Sequence, residues 1–441
     1  MSYKLVYNDR VPKLCDDSMT PNDRFNAITE QGLCAGCGLC QSLLGKEVVE
    51  VTTVTTGYER PILKQSISHA DVDRVMDVCP GTRVDGLPAK EHNETTQRDL
   101  VWGSWQRMVR AYAGDENVRH QGSTGGVLTA LAQCLLEQQH VDFILQVAAS
   151  EREPGFGEAV ISESAEDVLR ASGSRYGPAA PLKYIHEALD RGQRFAFIGK
   201  PCDVSALRNL ARHDPRVDEL VVYTLTMVCG GFMPPESLVD FMDAHKIDGG
   251  RVNSIRYRGF GCPGPTVIST DTEAHEYHYL DFWGEDASAW HLPFRCKVCP
   301  DGIGESADLV AADTWIGGSP DRADSEQDLG ANAIMARTEK GRLFLEAAVN
   351  AGALVIEREI GPKDMSDYQP HQVRKKQAVF DRYLGLRDEG RYAPVTYGLR
   401  LAELAEQVAP EVRVQQRLGT RERVRRGKAS EPTPALRPKQ D

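Results

Sequence analysis

Four cysteines near the start of the chain could hold an iron–sulfur cluster. Cys34, Cys37 and Cys40 form a C-x-x-C-x-x-C triplet, and Cys79 lies further along, directly before Pro80. This arrangement is typical of bacterial ferredoxins, in which thiolates bind a cubane cluster. Because no second triplet follows, we expect Cys79 to complete the same cluster. The alternative is a zinc site, although such sites usually combine two C-x-x-C pairs.

A second group of cysteines could form another metal site. Cys202 and Cys229 each follow an apolar stretch typical of a strand, while Cys296 and Cys299 form a C-x-x-C pair before a proline. The carboxyl ends of strands line the functional crevice of an open α/β sheet. We therefore expect these four thiols to meet at one rim and bind a second cluster. Each could instead be a small buried hydrophobic residue, and Cys262 is a rival ligand.

The segment 121–127, Gln-Gly-Ser-Thr-Gly-Gly-Val, lies between a predicted strand and a predicted helix. Its glycines and hydroxyls suit a phosphate at a helix N-terminus, where free N–H groups and the macrodipole attract anions. Ser123 or Thr124 could instead be an ordinary N-cap. The loop has no Walker lysine, so a P-loop is not expected. The candidate phosphate-binding residues are Gly122, Ser123, Thr124, Gly125 and Gly126.

An α/β scaffold is expected to position these motifs. Residues 1–87 read as a ferredoxin-like cluster unit with a helix over 70–78, and 88–100 as a polar linker. Residues 101–410 alternate between strand and helix patterns. The predicted strands are 109–113, 141–148, 194–198, 220–228, 309–312 and 333–336, and the predicted helices are 125–138, 182–189, 235–244 and 341–351.

The final segment, 411–441, has nine Lys and Arg against four Asp and Glu and few apolar residues. We expect a basic, flexible tail. It could dock an acidic partner, or it could be only a solvated, disordered chain end.

Composition narrows the class of protein. The chain has 441 residues, 41% of them apolar, which is enough for two or three domains. A net charge of −12 argues against nucleic-acid binding. We expect neither a secretory signal nor a membrane span, and the clustered thiols suggest a reducing cytoplasm. For Cys15 and Cys134 we expect the role of a buried hydrophobic residue.

Five short motifs are spread along the chain: Gly-Gly-Val-Leu-Thr-Ala-Leu at 125–131, Ser-Arg-Tyr at 174–176, Gly-Lys-Pro-Cys at 199–202, Tyr-Arg-Gly at 257–259 and Arg-Cys-Lys-Val-Cys-Pro-Asp at 295–301. Together these motifs resemble the family of coenzyme F420 hydrogenase/dehydrogenase β subunits. One departure is that Cys262 stands where the family usually has tryptophan, which weakens it as a metal ligand.

The resemblance implies FAD in the α/β domain, beside an inner 4Fe-4S cluster on the second cysteine group. The ferredoxin-like unit would hold an outer 4Fe-4S cluster. That separate unit makes the chain similar to the family's stand-alone ferredoxin-dependent reductases, of the chlorophyll-reductase type. The leading hypothesis is therefore a homo-oligomeric oxidoreductase that passes electrons from ferredoxin through two clusters and FAD to a small organic substrate.

Two alternatives stay open at this point. The chain could be the β subunit of a larger hydrogenase or dehydrogenase that exchanges electrons with a deazaflavin coenzyme. It could also be a non-catalytic electron-transfer subunit.

Further residues near these motifs are candidates for cofactor binding and proton transfer. The cations would neutralise FAD phosphates or a substrate carboxylate, or they could be surface charges. The proton-donor candidates could equally be structural. The cofactor-binding candidates are Ser174, Arg175, Tyr176, Lys200, Arg256 and Arg258, and the candidate proton donors are Asp203, Tyr176 and His120.

Overall fold

A computed structural model describes residues 19–285, 291–323, 325 and 327–437 of the chain. Cys15 and the last four residues of the predicted tail lie outside these ranges. The fold is mixed α/β around an eight-stranded sheet, which confirms the predicted fold class at that level. Among the residues that the structure describes, no helix has the length and apolar character that a membrane span needs.

The strands, in chain order, are β1 Val49–Thr53, β2 Glu59–Leu63, β3 Arg83–Asp85, β4 Gln97–Asp99, β5 Gly103–Trp105, β6 Arg107–Ala113, β7 Phe143–Ala149, β8 Gly157–Ser162, β9 Phe195–Gly199, β10 Val221–Met227, β11 Val252–Arg256, β12 Thr266–Thr270, β13 Ala274–Tyr277, β14 Leu309–Asp313, β15 Asn332–Ala336, β16 Leu354–Glu359 and β17 Val395–Tyr397.

The helices are α1 Pro21–Glu30, α2 Leu39–Leu44, α3 His69–Val78, α4 Glu116–Gln121, α5 Val127–Glu137, α6 Ala165–Arg170, α7 Ile185–Asp190, α8 Pro201–Leu210, α9 Arg216–Leu220, α10 Pro235–Ala244, α11 Tyr279–Trp283, α12 Phe294–Lys297, α13 Glu339–Asn350, α14 Pro362–Tyr368, α15 Pro370–Asp388, α16 Leu401–Glu406 and α17 Pro410–Arg425. Short 3-10 turns cover Ala89–Glu91, Gly249–Arg251 and Ile316–Gly318.

The central sheet has the strand order β16-β6-β15-β14-β10-β9-β7-β8. Its four middle strands, β14, β10, β9 and β7, are parallel to one another, and antiparallel strands flank them on both sides. The carboxyl ends of β9, β10 and β14 therefore lie at the same edge of the sheet. Crevices at such edges are where open α/β sheets bind ligands.

Both faces of the sheet are covered by helices, because successive side chains of a strand point to opposite faces. On one face, Phe195 and Phe197 of β9 pack with residues of α7, α8 and α14. On the other face, Ala196 and Ile198 pack with α5 and α13. The near-continuous apolar strands follow from this double burial.

The cysteine-rich start of the chain packs against the helices at its end. Helices α1 and α3, each beginning at a capping box, share a core with α15, and β3 pairs in parallel with β17. Cys37, Leu39 and Val78 also enter the core on one face of the central sheet. The described part of 1–87 therefore packs both against the C-terminal helices and against the core of the central sheet. The domain boundary at residue 87 stays a prediction.

Much of the predicted tail is helical, and its flexibility stays a prediction. Helix α17 packs on α15, and four of its arginines form ion pairs with carboxylates of 381–389. Glu431 then forms an ion pair with the buried Arg60, and Leu436 makes a β-bridge to Val54. The composition of 411–441 alone does not reveal these ion pairs, because the acidic partners lie elsewhere in the sequence.

Candidate functional site

The first cysteine group surrounds a cavity. Cys34, Cys37, Cys40 and Cys79 line it together with apolar side chains of α1, β1 and α3. Gly38 has a φ of +86°, and a Cβ there would lie 2.8 Å from the backbone nitrogen of Lys183. Glycine is thus required for the loop to pack this closely on the α/β part of the chain.

The thiols of this first group lie in a dry, shared environment. Burial raises the pKa of Cys37, Cys40 and Cys79, and each of these is raised further by another cysteine of the group. The backbone N–H groups of Gly36 and Gly81 donate to the sulfurs of Cys34 and Cys79, each at 3.4 Å. Buried thiols of this kind need a bound metal to stay deprotonated at neutral pH.

The second cysteine group is brought together by the sheet edge. Cys202 follows β9, Cys229 follows β10, and the C-x-x-C pair lies at α12. Burial raises the pKa of Cys202, and Cys229 and Cys299 raise it further. The pKa of Cys229 is about 11, raised by burial and then by Cys296 and Cys299. All four predicted sulfurs are therefore close enough to interact.

Within the described residues, no group of three or more His, Cys, Asp or Glu side chains converges on a single metal ion. A cubane cluster presents a separate iron to each of its four thiolates, so its ligands stand around a cavity. The four sulfurs around the first cavity, and the four interacting sulfurs of the second group, fit that requirement better than they fit one zinc ion.

A larger cavity of about 260 Å³ lies at the same edge of the sheet. One wall is the first turn of α5, at 127–129, and another includes Cys229 of the second cysteine group. Of the predicted residues, those that line it are Ser123, Gly126, Ser174, Arg175, Tyr176, Lys200, Asp203 and Arg258.

The floor of this large cavity contains a buried ion pair. Arg258 is 4% exposed; its Nη1 donates to Asp313 Oδ2 at 3.0 Å and its Nη2 to Thr124 Oγ1 at 2.5 Å. Burial opposes the charge, but Asp313 raises the pKa of Arg258 well above its ordinary value. The guanidinium also lies 4.7 Å from the ring centroid of Trp315. Arg258 is thus a fixed guanidinium in the cavity lining, paired with a partly exposed carboxylate.

A second ion pair lies between the large cavity and the two cysteine groups. Lys200 Nζ lies 2.8 Å from Oδ2 of Asp203, a carboxylate that is fully buried. Although burial opposes the charge, Asp203 raises the pKa of Lys200. Asp203 also raises the pKa values of Cys37 and Cys202, so it is near both cysteine groups. This placement makes Asp203 part of a charged pair in the wall between the sites.

Three N–H groups of the loop 122–126 already have acceptors within the protein. The N–H groups of Gly122 and Gly126 bond to backbone carbonyls, and that of Gly125 donates to Asn332 Oδ1 at 2.9 Å. The first-turn N–H groups of a helix, in contrast, have no acceptor within the helix. Helix α5 has no side-chain cap and no acidic residue in that turn. Its first turn, 127–129, thus has N–H groups that the helix itself leaves without acceptors.

Five residues predicted for cofactor binding or proton transfer are not among those that line the cavity: Gly122, Thr124 and Gly125 of the loop, and Arg256 and His120. Arg256 stacks on Phe260, with 3.8 Å from its guanidinium carbon to the ring centroid, and His120 packs against the same ring.

The segment 259–264 has the pattern G-x-G-x-x-G, but it connects the antiparallel strands β11 and β12. A dinucleotide turn would lead from a strand into a helix.

Sequence reasoning missed an aromatic wall of the large cavity. Tyr279, Trp283 and Trp315 join Tyr176 there, with 4.5 Å between the ring centroids of Tyr176 and Trp283. Their only sequence signal is a local density of aromatic residues, which resembles an ordinary core. Flat rings around a fixed arginine suit a planar, anionic ligand.

Comparison with known proteins gives one consistent family, the β subunits of coenzyme F420 hydrogenases and dehydrogenases. The family model of the N-terminal part of these subunits matches 108–186, and that of the C-terminal part matches 192–360; together they cover more than half of the chain.

Curated relatives are similar at low identity. The coenzyme F420-dependent sulfite reductase of Methanocaldococcus jannaschii is 25% identical over 333 residues, 72% of this chain. The alignment spans only 46% of that relative's length. A subunit of the F(420)H(2) dehydrogenase of Methanosarcina mazei is 23% identical over 324 residues, which are 72% of this chain and 83% of that protein.

A solved structure has the same fold. It is a chain from the F420-reducing [NiFe] hydrogenase complex of Methanosarcina barkeri, with a TM-score of 0.52 and 21% identity. The superposition covers 68% of this chain and 99% of that one.

Proposed function

Since the chain belongs to the family of coenzyme F420 hydrogenase/dehydrogenase β subunits, we propose that it is an electron-transfer subunit of a larger oxidoreductase that exchanges electrons with a deazaflavin coenzyme. One observation supports this above the others: the large cavity has a helix N-terminus in one wall and Cys229 of a four-thiol group in another. A redox ligand in that cavity would be adjacent to a metal centre. The relatives named for coenzyme F420 support the choice of ligand.

The cysteines would hold two 4Fe-4S clusters, which supply one-electron transfer when bound. An outer cluster would be held by Cys34, Cys37, Cys40 and Cys79, and an inner cluster by Cys202, Cys229, Cys296 and Cys299. The protein's contribution is partial burial of most of these cysteines and burial of Cys37, together with the N–H groups of Gly36 and Gly81.

FAD is proposed for the large cavity, with its diphosphate at the first turn of α5. The N–H groups of 127–129 and the helix macrodipole would bind the anion, while Ser123 and Ser174, whose hydroxyls lie 2.9 Å apart, would border it. Arg175 would balance further charge, because its Nε is buried without a partner. The flavin would supply the exchange between one-electron and two-electron carriers.

The structure weakens the case for ferredoxin as the electron donor. One support for that hypothesis was the basic charge after residue 411, which could dock an acidic partner, whereas the arginines of α17 are largely paired with α15 and its end. Ferredoxin-dependent reduction of an organic substrate remains the second hypothesis, and the same experiment separates the two.

The test uses the full chain, purified without oxygen, reduced with dithionite and then freed of excess reductant. Oxidised coenzyme F420, oxidised ferredoxin or NADP would be added in separate stopped-flow runs. We expect rapid stoichiometric return of the oxidised cluster and flavin absorbance with coenzyme F420. A Cys262→Ser variant is the control, because that thiol belongs to neither group. Fast oxidation by ferredoxin, with none by coenzyme F420, would contradict the proposal and favour the second hypothesis.

A further inference from the structure

One arginine connects the two cysteine groups. Arg295 directly precedes Cys296 of the second group, and its Nη2 donates at 2.5 Å to the carbonyl oxygen of Pro80. Pro80 directly follows Cys79 of the first group. A single side chain and one hydrogen bond therefore lead from a ligand of one proposed cluster to a ligand of the other.

The guanidinium of Arg295 has no protein anion beside it. The residue is 4% exposed, and its Nε and Nη1 are buried without a hydrogen-bond partner. In the part of the chain that the structure describes, no carboxylate forms an ion pair with it, and Pro80 is its acceptor. A buried cation without a counter-charge is strongly unfavourable. Its free N–H groups need an anion that the polypeptide does not provide.

Arg295 lies beside both cysteine groups. It directly precedes Cys296 of the second group, and its hydrogen-bond acceptor Pro80 directly follows Cys79 of the first group. One positive charge is therefore adjacent to a ligand loop of each group.

Other buried cations nearby are already neutralised. Lys200 is paired with Asp203, and Arg60, beside Cys34, is held by both carboxylate oxygens of Glu431 at 2.6 and 2.9 Å. Each of these pairs contributes little net charge. Arg295 differs from these two residues because, within the described part of the chain, no carboxylate forms an ion pair with it.

We propose that Arg295 is a positioning residue shared by two iron–sulfur clusters, whose unpaired buried charge raises the reduction potentials of both and whose hydrogen bond to Pro80 joins their ligand loops. This inference rests on the proposed function, because it requires two clusters. Reduction adds one negative charge to a cluster, and a fixed cation stabilises that charge. Hydrogen bonds and net charge around the sulfurs are established determinants of cluster potential. One arginine would keep both potentials in a range that allows transfer between them.

The experiment compares the full chain with Arg295→Gln and Arg295→Lys variants, all purified without oxygen. Iron and sulfide analysis comes first, with about eight irons expected per chain. Potentiometric titration followed by electron paramagnetic resonance then gives both potentials. In Arg295→Gln we expect the equilibrium constant for reducing each cluster to fall about tenfold, a drop of about 59 mV for one electron. Arg295→Lys retains the charge. In this variant the equilibrium constant for reducing each cluster should stay within about threefold of its value in the unchanged protein.

The matched control is the double variant Arg60→Gln, Glu431→Gln. It removes a buried arginine near the first group together with its counter-charge, so the net charge does not change and both potentials should stay near those of the unchanged protein.

Each remaining outcome has one meaning. The shared role is overturned if Arg295→Gln keeps its full iron content and both reduction potentials are unchanged. It is also overturned if the reduction potential of only one cluster shifts. If Arg295→Gln binds no iron, an Arg295→Lys variant with both clusters and unchanged potentials supports the charge requirement. The same variant with fallen potentials or lost iron overturns it. About four irons in the unchanged chain would instead refute the two-cluster proposal itself.

Discussion

Replacing Thr129 by Asp should separate the stability of helix α5 from its ability to bind an anion. Thr129 is half-buried, lies in the first turn of α5 and lines the large cavity. A carboxylate in a first turn interacts favourably with the macrodipole, by about 0.3–1 kcal/mol. The flavin-free Thr129→Asp variant should therefore unfold at an equal or slightly higher urea concentration.

The same carboxylate would repel a diphosphate. Two unit charges about 6 Å apart, at an effective dielectric constant of about 20, interact by roughly 3 kcal/mol, which is about a hundredfold in affinity. Because Thr129 is half-buried, solvent screening reduces this value. We expect the affinity for FAD to fall at least about tenfold, or about 1.4 kcal/mol.

The assay is titration of flavin-free protein with FAD, followed by quenching of flavin fluorescence at low ionic strength. Thr129→Asn is the control, because it has nearly the same shape as Asp but no charge, and it should bind FAD about as tightly as the unchanged protein. If the Asp and Asn variants bind FAD equally, the diphosphate is not at the first turn of α5 and the placement is wrong.

Three more perturbations test other parts of the structure. Asp308→Asn should destabilise the protein by about 3–5 kcal/mol in urea unfolding, because the fully buried carboxylate is the counter-charge of Arg208. Burial opposes the charge of Asp308, but nearby cations and hydrogen bonds lower its pKa below the ordinary value. The stabilisation is therefore fully present above the unfolded carboxyl pKa of about 4, and it is lost as pH falls through the lower pKa of the folded protein. Gly125→Ala should cost about 1–3 kcal/mol and lower the soluble yield, since the new Cβ would lie 2.9 Å from Ala331 Cα; normal stability with lost FAD would instead favour direct phosphate contact. Cys79→Ser should retain about four irons per chain against about eight in the unchanged protein, and an unchanged iron content would exclude this thiol as a ligand.

The second cysteine group could be anticipated because the rule behind it is geometric. The apolar runs 194–198 and 220–228 predicted strands, which the structure has as Phe195–Gly199 and Val221–Met227, and parallel neighbours must end at one edge. The residues after those ends, Cys202 and Cys229, were therefore expected to be close, and Cys229 does raise the pKa of Cys202, after burial and Asp203. Such inferences need only local patterns and one topological rule.

The role of Gly125 could not be read from its loop. Its N–H bonds to Asn332, 207 residues away along the chain, and β15 occupies the space that a side chain would need. A glycine that admits a phosphate and one that admits a neighbouring strand look identical in sequence. The charges of α17 posed the same difficulty, because their partners in α15 are about thirty residues earlier.

The arrangement of the sites also implies an order for the electrons. Cys229 both interacts with the second cysteine group and lines the large cavity, whereas none of the first group is among the described residues that line it. The first group instead reaches the second through Pro80 and Arg295. If both clusters and a flavin bind as proposed, the second cluster is the one with a ligand in the cavity wall, and we expect electrons from the first group to cross it. Loss of the inner cluster should then isolate the flavin from the outer one, while loss of the outer cluster should leave exchange between inner cluster and flavin intact.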